Sequence, residues 1–264
     1  MIGDVVGKPG RAAIEERLSR LQQDCKADFV IVNGENSAGG IGITPEISDA
    51  LLNAGADVIT LGNHAWNKRE IYPYLDKQAR ILRPANYPPG VPGHGWAVYS
   101  CKGTPVGVVS MQGRVFMELV DDPFRAIDAV LEDLRRQCKV IFVDFHAEAT
   151  SEKQTFGRYV DGRVSAVVGT HTHVQTADER ILPKGTAYLS DVGMTGPIES
   201  IIGMRYESVI ARSTTALPTR FEVAEGEAQI CGVVVEVNAS TGRAVSIERL
   251  QVPAHRTRVE RADE

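Results

Sequence analysis

Short apolar runs separated by amphipathic segments narrow the folds open to this chain of 264 residues. Phe29–Asn33, Val58–Gly62, Val106–Met111, Val140–Phe145, Ala166–Gly169 and Ala187–Ser190 read as buried strands. Between them, Arg11–Gln23, Pro45–Asn53, Lys68–Lys77, Asp122–Gln137 and Ser151–Tyr159 read as helices; Ile14, Leu18 and Leu21 share one face of the first. Thr44 before Pro45 is an N-cap followed by proline at the first helical position. This alternation predicts a layered α/β fold with helices on both sides of a sheet. From Arg220 to Leu250 the pattern becomes strand-like, with Gly226-Glu227 and Thr241-Gly242 as turns, which suggests a second sheet packed on the first. No Pro-, Gly- or Ser-rich linker interrupts the chain, so residues 1–264 read as one domain. A first core strand ending at Asp4 would be about two residues long against a usual 5–6, so it is either stunted or begins upstream of the given start.

Composition excludes several classes of function. A formal charge of −5 provides no basic field for duplex nucleic acid. The four cysteines, Cys25, Cys101, Cys138 and Cys231, are far apart; they argue against a thiolate zinc site or a disulfide framework and suit a reducing compartment. No apolar run approaches the roughly 18 residues of a membrane span. The N-terminus lacks the basic leader and apolar stretch of a signal peptide, so the expected location is the cytoplasm.

The run Thr170-His171-Thr172-His173 follows the apolar stretch Val164–Gly169, so two histidines sit at a strand end. In extended backbone, residues two apart point to the same side and the imidazoles would converge. On a helix the same spacing would splay them roughly 200° apart. Asp4, Glu35, Asn36, Asn63, His64 and His146 also fall at ends of predicted strands, where α/β sheets bind their ligands. Gly3, Gly34, Gly62 and Gly169 precede these residues and would allow tight strand-to-loop turns.

Oxygen and imidazole donors without sulfur suit manganese, iron or zinc. Asp4, Glu35, Asn36, Asn63, His146, His171 and His173 are too many for one tetrahedral zinc. They fit two metals sharing a bridging carboxylate, about 3.5–4 Å apart, which can hold a bridging hydroxide for in-line attack on a phosphoryl group. No serine or cysteine nucleophile is then needed.

Blander readings exist. A lone buried histidine is more often a satisfied core residue than a ligand. It is the shared context of other strand-end donors that favours metal binding by His146. His94 and His255 have no such context and read as surface residues. Asn33-Gly34 can be a simple turn, so Asn33 is not assigned to metal. Asp144 reads either as a carboxylate backing His146 or as a buried strand residue. Gly3–Pro9 is not a phosphate loop: three residues, not four, separate its glycines, and Pro9 stands where Ser or Thr should hold magnesium.

The ordered motifs Gly3-Asp4, Asn33-Gly34-Glu35-Asn36, Gly62-Asn63-His64, His146 and Gly169-Thr170-His171-Thr172-His173 resemble those of the calcineurin-like metallophosphoesterases. Arg83–Asn86, His146–Lys153 and Asp191–Pro197 are similar to the YmdB-like bacterial branch, and the resemblance covers nearly the whole chain. It implies an α/β/β/α sandwich of two sheets flanked by helices. It also implies two metal ions per chain, iron or manganese with zinc as the alternative. Asp4 and His173 would hold the first metal, Glu35 would bridge, and Asn63, His146 and His171 would hold the second. The superfamily's usual Asp-x-His is Asp4-Val5-Val6 here, and Asn36 is the implied substitute at the first metal.

The resemblance makes His64 the general acid that protonates the leaving oxygen, a task suited to a group titrating near neutral pH. Small phosphodiesters are the implied substrates, 2′,3′- or 3′,5′-cyclic nucleotides foremost, and a homodimer or homotetramer the implied assembly. The alternatives are a phosphomonoesterase or nucleotidase on the same metals, or a metal-holding regulator with incidental hydrolysis. No aromatic clamp for a base stands out; Lys153, Arg163 and Thr195 are the candidates for phosphate or site-edge contacts.

Overall fold

The structure, a computed structural model, describes residues 1–254. In chain order the elements are β1 (Asp4–Val5), α1 (Gly7–Asp24), β2 (Ile31–Asn33), α2 (Pro45–Asn53), β3 (Val58–Thr60), α3 (Tyr72–Leu75), β4 (Ile81–Leu82), β5 (Trp96–Cys101), β6 (Thr104–Gln112), α4 (Pro123–Gln137), β7 (Val140–His146), α5 (Thr150–Val160), β8 (Ala166–Thr170), β9 (Arg180–Ile181), β10 (Ala187–Leu189), β11 (Met194–Pro197), α6 (Tyr206–Thr215), β12 (Ala228–Val237) and β13 (Ala244–Pro253).

One layer contains two sheets, ordered β1-β11-β12-β13 and β2-β3-β4. Ile2 joins them, bridging Val32 in the parallel sense and Gly232 in the antiparallel sense. The other layer is a six-stranded sheet ordered β5-β6-β7-β8-β10-β9. Between the layers, Ile31, Val58 and Leu82 pack with Val106 and Val108, while Val233 packs with Val168, Leu189 and Val192. Helices cover both outer faces. Ile14 and Leu18 of α1 and Leu51 of α2 pack with Val32, Ile59 and Ile230; Leu131 and Leu134 of α4 and Phe156 of α5 pack with Val143, Phe145 and Val167. Each such side chain contributes about 1.5–3 kcal/mol when fully buried. The result is the expected α/β/β/α sandwich.

Two helix starts follow directly from sequence. The Thr44 hydroxyl caps α2 by accepting from Ile47 N, with Pro45 in the first turn. Asp122 caps α4 by accepting from Phe124 N and Arg125 N. Such a cap contributes about 1 kcal/mol. The expected helix over Lys68–Lys77 is instead a 3-10 turn at Arg69–Ile71 followed by the four-residue α3. Pro73 has no N–H to give to the preceding turn, so a helix can begin there but not run through. Helix α6 and the β5–β6 hairpin were not expected. The first buries no residue and shows no core-facing stripe; the second has a half-exposed strand β5.

Parallel pairing of β6, β7 and β8 brings Gln112, His146 and Thr170 to one edge, and parallel pairing of β2 and β3 does the same for Asn33 and Thr60. His94 is exposed in a loop, as expected, and His255 lies outside the described residues. No helix among the described residues is long and apolar enough to cross a membrane.

Candidate metal centre

The strand-end donors meet where the two layers come together. Asp4 on β1, Glu35 and Asn36 after β2, and Asn63 and His64 after β3 come from one layer; His146 closes β7 and His171 and His173 follow β8 in the other. Apart from His64, the first layer supplies oxygen donors and the second imidazoles. The extended backbone expected through His171 and His173 is absent: their φ angles are 98° and 67°. The rings converge because left-handed turns aim them, not because a strand alternates.

His146 Nε2 is the hub of one cluster. It lies 2.9 Å from Asn63 Oδ1, 3.0 Å from His171 Nδ1 and 3.1 Å from Glu35 Oε1. Beside it, Asp4 Oδ1 stands 3.9 Å from His173 Nε2, and Asn36 Nδ2 is 3.1 Å from both His173 Nε2 and Glu35 Oε1. Glu35 therefore touches both groups. As placed, Asn36 turns its nitrogen to His173, while its Oδ1 lies 2.8 Å from His64 Nδ1.

The outward nitrogen of each clustered imidazole has its own partner. Thr170 Oγ1 donates to Asp144 Oδ1 at 2.7 Å and so accepts from His146 Nδ1 at 2.8 Å. His173 Nδ1 donates to Ile202 O at 2.9 Å, and His171 Nε2 meets Glu148 Oε2 at 3.1 Å. In a neutral ring this leaves the nitrogen facing the cluster with its lone pair, the arrangement that orients metal-binding histidines. Asp144 thus backs His146 through Thr170. Its carboxylate also accepts from Asn33 and Thr60 across the layer interface, and burial raises its pKa. Asn33 stays out of the cluster, as expected.

Electrostatics sharpen the picture. Asp4, Glu35 and His146 are fully buried. Burial pushes the Asp4 carboxyl up to about 6, although His173 and His146 pull the other way. Burial also opposes charge on Glu35, but His146 and His64 outweigh it and hold the carboxyl well below its usual range. At His146 burial is overcome by Glu35, Asp4 and Asp144, and the imidazole rises to about 9. Burial, then the neighbouring His146, drives His171 down to about 3.

These residues fit a cation pair. Asp4 Oδ1 is buried with no hydrogen-bond partner, an orphaned anionic acceptor that a cation would satisfy. Glu35, His146 and His171 bring ligand atoms within 4.8 Å of one another. Donors bound to one ion at about 2.0–2.2 Å stand roughly 3 Å apart, close to the spacing around His146 Nε2. Gly62 keeps this space open: a Cβ there would sit 2.2 Å from both Glu35 Oε2 and His146 Cδ2. Gly62 and Gly169 carry no left-handed φ, so they provide room, not the turn flexibility expected from sequence.

His64 sits at the edge of this group, its side chain 27% exposed and Nδ1 3.3 Å from Glu35 Oε1. The three candidates for phosphate or site-edge contacts have partners within the protein. Lys153 is buried against Asp191, Arg163 pairs with Asp128, and Thr195 is buried and donates to Cys231 O. Thr170, Thr172, Glu148 and Asp191 support the centre without having been singled out as such from sequence. Nothing local in the sequence marks these residues as partners of side chains distant in the chain.

A family model described as YmdB-like protein matches residues 1–250. The 2′,3′-cyclic-nucleotide 2′-phosphodiesterase of Bacillus subtilis (strain 168) is 51% identical over 251 residues, covering 95% of each chain. A crystal structure of a novel phosphatase from Mycoplasma pneumoniae superposes with a TM-score of 0.90 at 36% identity, over 96% of this chain and 92% of that one. A Thermus thermophilus crystal structure described as a hypothetical protein gives a TM-score of 0.90 at 43% identity, over 96% of this chain and 97% of that one.

Proposed function

The chain belongs to the YmdB-like family, and from that premise we propose that it is a dinuclear metal-dependent phosphodiesterase acting on 2′,3′-cyclic nucleotides. The observation that carries the reading is the double cluster sharing Glu35 beside the unpartnered Asp4 Oδ1. The substrate class comes from the 51% identity to the Bacillus subtilis enzyme. Asp4, Asn36 and His173 would hold one ion, Asn63, His146 and His171 the other, and Glu35 both. Manganese or iron suits this donor set, with zinc third. When bound, the pair supplies Lewis acidity to the phosphoryl oxygens and lowers the pKa of water.

The chain's own residues set geometry and proton supply. To serve as an oxygen ligand, Asn36 would turn its amide over, and Nδ2 would then donate to His64 Nδ1. The His64 proton then resides on Nε2. Water bonds to phosphorus and gives up one proton, the ester P–O2′ bond breaks, and the leaving 2′-oxygen takes the Nε2 proton; the proton released by the water restores His64. A 3′-phosphate and a 2′-hydroxyl remain. The wall of buried side chains around Asp4, Glu35 and His146 keeps competing water from these donors. All four cysteines are free, which suits a reducing compartment, and the cytoplasm is the location we assign.

Elemental analysis together with turnover of 2′,3′-cyclic AMP, 3′,5′-cyclic AMP, bis(p-nitrophenyl) phosphate and p-nitrophenyl phosphate tests the proposal. About two metals per chain and preference for the 2′,3′-cyclic diester are expected. Metal-free protein with full activity, or a preference for the monoester, would refute it. Size-exclusion chromatography of the same sample reads the homo-oligomer expected of the family.

A further inference from the structure

Thr172 separates two histidines whose backbones are both left-handed, with φ of 98° at His171 and 67° at His173. Residues with a Cβ adopt that conformation only when their surroundings impose it. Asp4 Oδ2 accepts from His171 N at 3.3 Å, and the residue between the histidines is held by Asp191. Its Oδ2 accepts from Thr172 N at 3.1 Å and from Thr172 Oγ1 at 2.7 Å, while its Oδ1 accepts from Gly193 N at 2.8 Å. Lys153 Nζ reaches the same Oδ2 at 2.7 Å from α5.

We infer that Lys153, Asp191 and Thr172 are positioning residues for the metal centre proposed above: the buried ion pair grips Thr172 so that His171 and His173 keep the backbone from which their rings reach the two ions. The inference rests on that proposal and assigns these three residues no contact with metal or substrate.

Lys153 and Asp191 are 2% and 1% exposed, so neither charge faces a substrate. A buried ion pair is weak evidence for stability, because well-packed apolar residues often do as well. A geometric role accounts for it better. A charged acceptor holds an N–H and a hydroxyl more strongly than a neutral one. Lys153 supplies the compensating charge. Its stem crosses beneath the end of β8 beside Gly169, where a Cβ would lie 3.1 Å from Lys153 Cδ and 1.7 Å from Ser190 O. The base of the grip is closed as well. Asp191 N donates to Thr176 Oγ1 at 2.9 Å, Thr176 N returns to Asp191 O at 3.0 Å, and Met194 N donates to His173 O at 3.1 Å. The loop is thus pinned at Thr172, at His173 and at Thr176, and the histidine rings are set by what lies behind them.

The test measures Mn²⁺ affinity by chelator competition, alongside the Tm of the metal-free protein, for the parent chain, Thr172→Val, Thr172→Ser and Lys153→Met. Valine keeps the shape and the N–H but removes the hydroxyl; serine restores it. Thr172→Val and Lys153→Met are expected to weaken Mn²⁺ binding about 10–100-fold, the usual cost of removing a group that orients a ligand. The metal-free Tm of Thr172→Val should stay near the parent's, and Thr172→Ser should recover most of the affinity. Parent-like affinity in Thr172→Val, or losses that merely follow the metal-free Tm, would overturn the inference and leave the proposed function standing. A parent chain that takes up no Mn²⁺ would overturn both.

Discussion

His146 and His171 face each other nitrogen to nitrogen, with Nε2 of the first 3.0 Å from Nδ1 of the second. The two rings differ widely in basicity, one raised to about 9 and the other lowered to about 3. A single proton between them serves His146 alone, and a cation serves both.

Metal should therefore stabilise the fold. A ligand present at about 100 times its Kd adds roughly 2.7 kcal/mol, so manganese should raise the Tm of chelator-treated protein. Glu35→Gln removes the charge shared by both clusters and should abolish most of that rise. A Tm unmoved by manganese would contradict the assignment.

His64→Ala should separate catalysis from metal binding. His64 approaches the centre from its edge, so the variant should retain about two metals per chain while kcat falls about 10²–10⁴-fold. Unchanged turnover would remove His64 from the proton-donor role.

In the metal-free protein, Glu35 and His146 form a buried pair at 3.1 Å. The carboxyl is held below its ordinary value of 4.5, so its contribution is present above that pH and is lost on acidification. The imidazole is raised from 6.5 to about 9, so its contribution is complete below pH 6.5 and is lost as pH rises through about 9. Chelator-treated protein should thus lose Tm between pH 6.5 and 9, a loss that bound metal suppresses because the ion replaces the proton. Melting curves with and without manganese across that range decide it.

Gly62→Ala adds one methyl where Glu35 Oε2 and His146 Cδ2 would stand 2.2 Å away. Overpacking of this kind costs about 1–3 kcal/mol, and here it pushes on ligands. Both the Tm and the metal content should drop. Normal metal uptake would show that the loop shifts freely.

The layers and the strand-end residues that cluster between them are legible in the sequence because strand ends carry both signals: an apolar run, then a polar residue in a short loop. Residues such as Asp4, Glu35 and His146 stand out for that reason. The support behind them is harder to read, since Thr170 and Asp144, or Thr172 and Asp191, become partners only through tertiary packing. Lys153 misleads for the same reason: a lysine on an amphipathic helix looks solvent-facing until its buried partner is known. The left-handed turns at His171 and His173 leave no trace in residue type, because histidine is no turn former in the way glycine is.

Asp4, Glu35, Asn36 and Asn63 arrive on one half of the sandwich, and His146, His171 and His173 on the other. On the proposed assignment neither half alone carries the full ligand set. Ion capture would then wait until the halves have docked, and a filled centre would certify a finished fold.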